Sequence, residues 1–380
     1  MKNKINSILN DRYLCIIAAS FVLIILGFID WWTGYELSFQ FFYFIPLTIF
    51  SYNTKFNKAS IVLFAFITSL VWFLADYFAD HVYSDLFLYF WNTMSRLIVF
   101  CTFSLFLNSI IKHRSKIDLL NSELLNKELL VTDSIKYAKT IQDSIIPSFN
   151  GFNKLFPDSF ILSKPKAILS GDFFWYYRFG EKTFFAVVDC TGHGIPGSLL
   201  SVIGNILVHR IIIDNGETIP NKILENLHKE LVHVFSAGNE PIDDGMEISL
   251  VLYDESKSEI CISQTSQGAL LVKPDGSVKL FEPNGFTVGG MLSKIKGASY
   301  TSETMKIEKG SRLYLFTDGY IDQFGLKENI KFGINNFIEL IENVHSISST
   351  EQKNVLIDTI EKWMGDSKQI DDITVVGVKF

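Results

Sequence analysis

Four apolar segments crowd into the first 111 residues, at Tyr13–Ile29, Leu37–Tyr52, Ala59–Ala75 and Leu86–Ile111, while the chain beyond Lys112 has the mixed character of an ordinary globular protein. A helix needs about 20 consecutive apolar residues to cross hydrocarbon, so this half is read as a membrane region and the rest as a soluble one. The first, third and fourth segments are long enough. The second is short and contains Pro46, and it spans only with help from neighbouring helices. A cleaved signal peptide is the alternative for the first segment; three further apolar segments and the lack of a small-residue cleavage site argue against it.

Lysine and arginine set the orientation. Lys2, Lys4 and Arg12 precede the first span, Lys55 and Lys58 separate the second and third, and Lys112, Arg114 and Lys116 follow the fourth. The other two loops carry Asp30, Glu36, Asp76, Asp80 and Asp85. Both ends of the region are therefore expected in the cytoplasm, with Trp31, Trp32, Tyr35, Tyr83 and Trp91 as an outer aromatic belt. Arg96 lies inside the fourth span, where a charge costs roughly 2.5–3.5 kcal/mol. It is expected to pair with Asp30, Glu36 or Asp76, or to line an outer pocket with Asn92, Trp91 and Glu36.

Residues 112–147 read as a helical linker. There is no proline or glycine from Lys116 to Ile146, and Ile117, Leu124, Val131, Ala138 and Ile145 recur every seven residues. Leu120 and Ile141 supply the other seam position, and Lys127 and Ser134 weaken it. A solvated spacer helix and a parallel dimeric coiled coil both fit; the second makes the protein a homodimer. Pro147 stops the helix.

From residue 148 to 380, short apolar runs come in blocks with helical stretches, without strict alternation, which favours an α+β layered fold. Net charge is -7 and no basic block exceeds the short juxtamembrane clusters, so nucleic acid is excluded as a partner. The four cysteines, Cys15, Cys101, Cys190 and Cys261, form no C-x-x-C pair, which excludes a zinc or disulfide framework.

The aspartates carry the chemistry. Asp172 precedes an aromatic strand, Asp189 ends the run Phe184–Val188, Asp318 ends Leu313–Thr317, and Asp371 and Asp372 begin the last strand. One such acid reads as a turn or cap. Four against buried strands repel one another unless a cation neutralises them. An all-oxygen set fits Mn2+ or Mg2+, not zinc. With two ions, a water between them is acidified toward neutral pH and poised for in-line attack on a phosphoryl group. His193, between two glycines, is read as shaping the turn rather than as a general acid. Gly192 and Gly194 are expected to let backbone pass where a Cβ would crowd.

The motifs Ser170-Gly171-Asp172-Phe173-Phe174-Trp175, Asp189-Cys190-Thr191-Gly192-His193-Gly194-Ile195-Pro196-Gly197, Leu315-Phe316-Thr317-Asp318-Gly319-Tyr320-Ile321-Asp322-Gln323-Phe324-Gly325 and Asp371-Asp372-Ile373-Thr374-Val375-Val376 resemble, in order, those of PPM-type (type 2C) serine/threonine phosphatases, in the bacterial branch of the sporulation phosphatase SpoIIE. Tyr137–Pro147 is similar to the linker that precedes this domain in such proteins. The resemblance implies two central antiparallel sheets flanked by helices. It implies that Asp189 bridges two metals, that the Cys190 carbonyl adds a ligand, and that Asp172, Asp318 and either Asp371 or Asp372 complete the shells; Asp371 is chosen by its place before Asp372-Ile373-Thr374. It also implies a phosphoserine or phosphothreonine substrate, such as an anti-sigma-factor antagonist, and regulation by dimerisation and movement of helices beside the metal site. Two stretches depart from the pattern, Ser263–Ala269 and Glu247, and neither is expected to touch a ligand. No arginine stands in the place of the phosphate-binding arginine of eukaryotic members. The alternative to an enzyme is a receptor scaffold whose phosphatase-like domain only binds a phosphoprotein.

Overall fold

The structure is a computed structural model and describes residues 9, 11–34, 39–79, 85–236, 243–265, 268–290, 299–326 and 330–380. Lys2, Lys4, Tyr35, Glu36, Leu37, Asp80, Tyr83, Ser266 and Gln267, named above, lie outside the described residues. The chain divides into two compact units, 1–129 and 130–380.

The first unit is helical. Helix α1 (Arg12–Thr33) is capped by the Asp11 carboxylate, which accepts from the amides of Tyr13 and Leu14. A 3-10 turn (Gln40–Tyr43) leads into the short α2 (Phe44–Tyr52). Helix α3 (Lys58–Phe78) is capped by Asn57, and α4 (Leu86–Ile145) runs on into the second unit. Three of these, α1, α3 and the early part of α4, are long and apolar enough to cross a membrane. The described part of the second apolar segment, 39–52, is instead a turn and a nine-residue helix, with Pro46 in its first turn, where a missing N–H costs nothing. It still runs to the same end as its neighbours. Asn108 donates to the carbonyls of Ser51 and Asn53, Asn53 to that of Leu9, and Lys112 to that of Phe56. The interior holds small or flat residues such as Cys15, Ala19, Ala65 and Tyr43. Phe21, Ile24, Phe28, Leu63 and Phe66 point outward and are exposed. An apolar exterior around an apolar interior is the inverse of a water-soluble bundle, whose outer face is polar.

Arg96 makes contacts that its expected acidic partners do not account for. Its guanidinium lies 3.4 Å from the centre of the Trp72 ring, and Nη2 donates to Gln40 Oε1 at 3.4 Å. The Asp30 carboxylate accepts from the Tyr43 hydroxyl at 2.9 Å. Trp91 is exposed, and Glu36 lies outside the described residues.

In the second unit a short helix, α5 (Phe149–Leu155), leads into two antiparallel sheets. The strands are β1 (Ser159–Lys164), β2 (Phe173–Phe179), β3 (Lys182–Cys190), β4 (Gly245–Asp254), β5 (Glu259–Gln264), β6 (Gly268–Val272), β7 (Val278–Phe281), β8 (Val288–Gly289), β9 (Glu303–Lys306), β10 (Arg312–Phe316) and β11 (Ile373–Lys379). One sheet runs β1-β11-β10-β6-β7 and the other β2-β3-β4-β5-β9, with β8 paired to β4. The helices are α6 (Ile195–His209), continued by a π-helical turn (Arg210–Asp214), then α7 (Pro220–Ser236), α8 (Asp318–Ile321), α9 (Ile334–Val344) and α10 (Ser349–Met364).

Period-2 alternation builds the layers. Phe185 and Val187 of β3 face the other sheet, where they meet Leu313, Leu315, Val376 and Val378. Phe184, Ala186 and Val188 face outward onto α6 and α7. On the far side Tyr314, Phe316, Ile373 and Val375 pack under α9 and α10. Central strands buried on both faces read as unbroken apolar runs, and that is why β3, β10 and β11 stood out in the sequence. The helix Ile195–Asp214 is also apolar and long enough to cross a membrane. Here it buries Leu200, Leu207, Val208 and Ile211 against a sheet, so its hydrophobicity belongs to the soluble core. The α+β reading holds, as an α-β-β-α sandwich.

Candidate active site

Asp172, Asp189 and Glu247 are aimed by the same alternation that built the sandwich. Asp189 continues the inward face of Phe185 and Val187, and Asp172 that of Phe174. The β2–β3 register pairs Phe173 with Val188, so one further step sets Asp172 opposite Asp189. Across the next strand, Asp189 pairs with Glu247. Thr317, just after β10, donates to Asp172 Oδ2 at 2.9 Å and ties the two sheets together at this end. Asp318 opens α8, and Asp371 lies in the approach to β11.

These acids feel one another. Burial, then Asp372 and Asp371, push the Asp172 carboxyl up to about 7, against hydrogen bonds from Thr374 and Thr317. Burial, with Asp172, Asp318, Asp371 and Glu247, pushes Asp189 up to about 10. Asp318 is raised by burial and by Asp371 and Asp322; Lys331 and a hydrogen bond with Asp189 act the other way. Two carboxyl groups hydrogen-bond each other only by sharing a proton. Protons here stand in for missing positive charge. The three arginines of residues 148–380 give no help: Arg178 pairs with Glu255, Arg210 with Glu230 and Arg312 with Asp158.

The donor set fits hard divalent cations, being all oxygen. Among the described residues no three of these side chains already close on one point as they would around an ion. They line one end of the sandwich, within electrostatic reach. Asp371 and Asp372 differ sharply. The buried Asp372 accepts from the amides of Lys166 and Gly171, each at 2.7 Å, with one oxygen for each. It holds the loop before Asp172 in place. Asp371 accepts from the Asp372 amide at 2.8 Å and remains half-buried beside Asp172, Asp189 and Asp318.

The glycines act differently from expectation. Gly192 and Gly194 sit at φ +85° and +69°, and a Cβ at either would meet nothing within 4 Å. They serve the left-handed turn, not close approach. Crowding falls instead on Gly171, Gly197 and Gly319, where a Cβ would come 2.9 Å from the Gly192 carbonyl oxygen, 2.2 Å from that same oxygen and 1.9 Å from the Asp372 carbonyl oxygen. The Cys190 carbonyl faces the same gap, 3.2 Å from a Cβ built on Gly171. Its thiol is buried in the outer core, and burial holds it protonated. The His193 ring is exposed.

Two participants were not visible in the sequence. Glu247 is the cross-strand neighbour of Asp189, so that departure does touch a proposed ligand. Gln142, near the end of α4, is buried and donates to the Ser170 carbonyl at 2.7 Å and to Ser201 Oγ at 2.8 Å. Asn205 of α6 donates to the Ile145 carbonyl at 3.3 Å. The last turns of the linker are thus stitched to the residues before Asp172 and to α6.

The fold and site define a PP2C-type serine/threonine phosphatase domain. Residues 180–380 match the family described as Stage II sporulation protein E (SpoIIE), and the chain belongs to that family. It is similar to the SiaA-PP2C domain of Pseudomonas aeruginosa, at 25% identity and a TM-score of 0.61, over 67% of this chain and 98% of that one. It also aligns with the RsbU and RsbW domains of Rv1364c from Mycobacterium tuberculosis, at 21% identity and a TM-score of 0.46, over 59% of this chain and 60% of that one. No curated protein matches it.

Proposed function

We propose that this protein is a membrane-anchored phosphatase that removes phosphate from a phosphoserine or phosphothreonine of a bacterial signalling partner, such as an anti-sigma-factor antagonist. The observation that carries the reading is the gathering of Asp172, Asp189, Asp318 and Asp371 at one end of the sandwich without a matching set of cationic side chains among the described residues. Asp189, central among them, would be shared between two Mn2+ or Mg2+ ions, with Asp172, Asp318, Asp371 and the Cys190 carbonyl around it. When bound, such a pair of ions supplies an activated water and offsets charge on the phosphoryl group. The chain's own part is positional. Thr317 orients Asp172, and Asp372 fixes the loop that carries it. The bare backbone at Gly171, Gly197 and Gly319 lets the layers close.

In this reading α1 to α4 anchor the chain in the inner membrane, with the phosphatase domain in the cytoplasm. The exposed Ile117, Leu120, Leu124 and Val131 give the linker a stripe that a second copy would cover as a parallel coiled coil. Hydrolysis of p-nitrophenyl phosphate by the full chain in detergent tests the catalytic claim. Turnover should require Mn2+ or Mg2+. A folded, metal-supplied protein without turnover would leave only the scaffold reading.

A further inference from the structure

A cleft opens on the outward side of the first unit, between α1 and α3, with a volume of about 390 Å3. Its floor is a stack of three rings: Phe50 lies 4.1 Å from Phe56 and 4.2 Å from Phe64, nearly parallel to both. Ile16, Ile24, Leu63 and Ile67 form its exposed walls. At one end Arg12 lies over the Phe56 ring, 5.6 Å from its centre. At the other the helices close, since a Cβ on Gly27 would come 2.6 Å from Val71. From Arg12 to Ile24 the helix rises about 18 Å, close to the roughly 15 Å depth of one leaflet's hydrocarbon.

Among the described residues that line the cleft, charge stands at the open end. Lys55 and Lys58 flank Phe56 in the chain, both exposed, and among the described residues neither they nor Arg12 has an ion-pair partner. The acid nearest in sequence to Arg12, Asp11, is occupied in capping α1. This is the end at which the chain carries its cytoplasmic lysines and arginines.

We propose that the cleft is a binding site for one anionic phospholipid of the inner leaflet. An acyl chain lies along the three-ring floor, and the headgroup phosphate is held by Arg12 with Lys55 or Lys58 beside it. This rests on the membrane reading. A helix from a second copy is a poor occupant: about 390 Å3 spread over about 18 Å leaves a narrow slot, whereas a helix is about 10 Å across. A zwitterionic lipid would fill the slot equally well but would leave three cations without a net counter-charge.

Native mass spectrometry of the full chain, released from detergent after titration with dioleoyl phosphatidylglycerol or dioleoyl phosphatidylcholine, tests the proposal. One phosphatidylglycerol should be retained per chain, favoured on the order of tenfold over phosphatidylcholine. Arg12→Gln with Lys58→Gln should bring the two lipids level. Leu63→Trp, at an exposed wall position, should weaken both. Equal retention of the two lipids by the unaltered chain, or a preference that survives the charge changes, overturns the proposal. So does a disulfide between two Leu63→Cys chains that forms equally well in excess phosphatidylglycerol. Release of the chain from membranes by alkaline carbonate would overturn the membrane reading itself; a chain that resists carbonate yet ignores lipid charge overturns only the lipid site.

Discussion

Both units bury charge at one end, and they neutralise it in opposite ways. In the first unit the ionisable groups are of opposite kinds, and the chain supplies partners for both: Arg96 rests on Trp72 and Gln40, and Asp30 on Tyr43. In the second unit Asp172, Asp189, Asp318 and Asp371 share one sign, and burial and mutual repulsion raise Asp172, Asp189 and Asp318 toward their protonated forms. A mixed cluster closes on itself and stiffens a bundle. A like-signed cluster stays incomplete, and calls for a ligand of opposite charge.

The largest expected effect tests that contrast directly. Asp189→Asn should lower metal-dependent turnover by more than about a hundredfold while the fold survives, since loss even of outer-shell partners costs 10 to 100-fold at metal sites. Asp371→Asn should do the same. Asp372→Ala should behave differently: two buried amides lose their acceptor, and stability should fall by about 2–4 kcal/mol in thermal or urea unfolding. Equal stability losses for Asp371→Asn and Asp372→Ala would erase the distinction between them.

A pH series on metal-free protein comes next. Asp172 and Asp189 bind protons more tightly folded than unfolded, so folding takes up protons above about pH 4. Their contribution is therefore fully present below pH 4 and is lost as the pH rises through about 7 and on toward 10. Mn2+ should reverse the loss, with a stabilisation that grows with pH as it displaces those protons. Metal stabilisation that is flat from pH 5 to 8 would contradict this.

Gln142→Ala should weaken metal activation by several-fold to tenfold, because it frees the Ser170 carbonyl just before Asp172. The smallest effect belongs to the first unit. Arg96→Gln should reduce thermal stability in detergent by about 1–2 kcal/mol through loss of the contact with Trp72. Basal turnover of the full chain should stay unchanged.

The comparison also explains what was legible. Strands buried on both faces left unbroken apolar runs, so β3, β10 and β11 and the acids at their ends could be read directly. Strands β7, β8 and β9 are two to four residues long and leave no such run in the sequence. Asp371 and Asp372 are chemically identical neighbours, and only the amides around Asp372 separate them. Glu247 becomes a neighbour of Asp189 through strand pairing across 58 residues of chain, which no local pattern records. Gly192 and Gly194 sat beside the acid and attracted a crowding explanation; their positive φ values give another, and the crowded positions lie elsewhere. Gln142 looked like one polar residue on a helix, until its amide was found between Ser170 and Ser201.

The central claim is that the aspartate cluster exists to hold cations. Calorimetric titration of the full chain with Mn2+ measures this without reference to any substrate. The account predicts two ions bound per chain with release of protons, and loss of that binding in Asp189→Asn. An absence of Mn2+ and Mg2+ binding, or binding indifferent to Asp189→Asn, would contradict it.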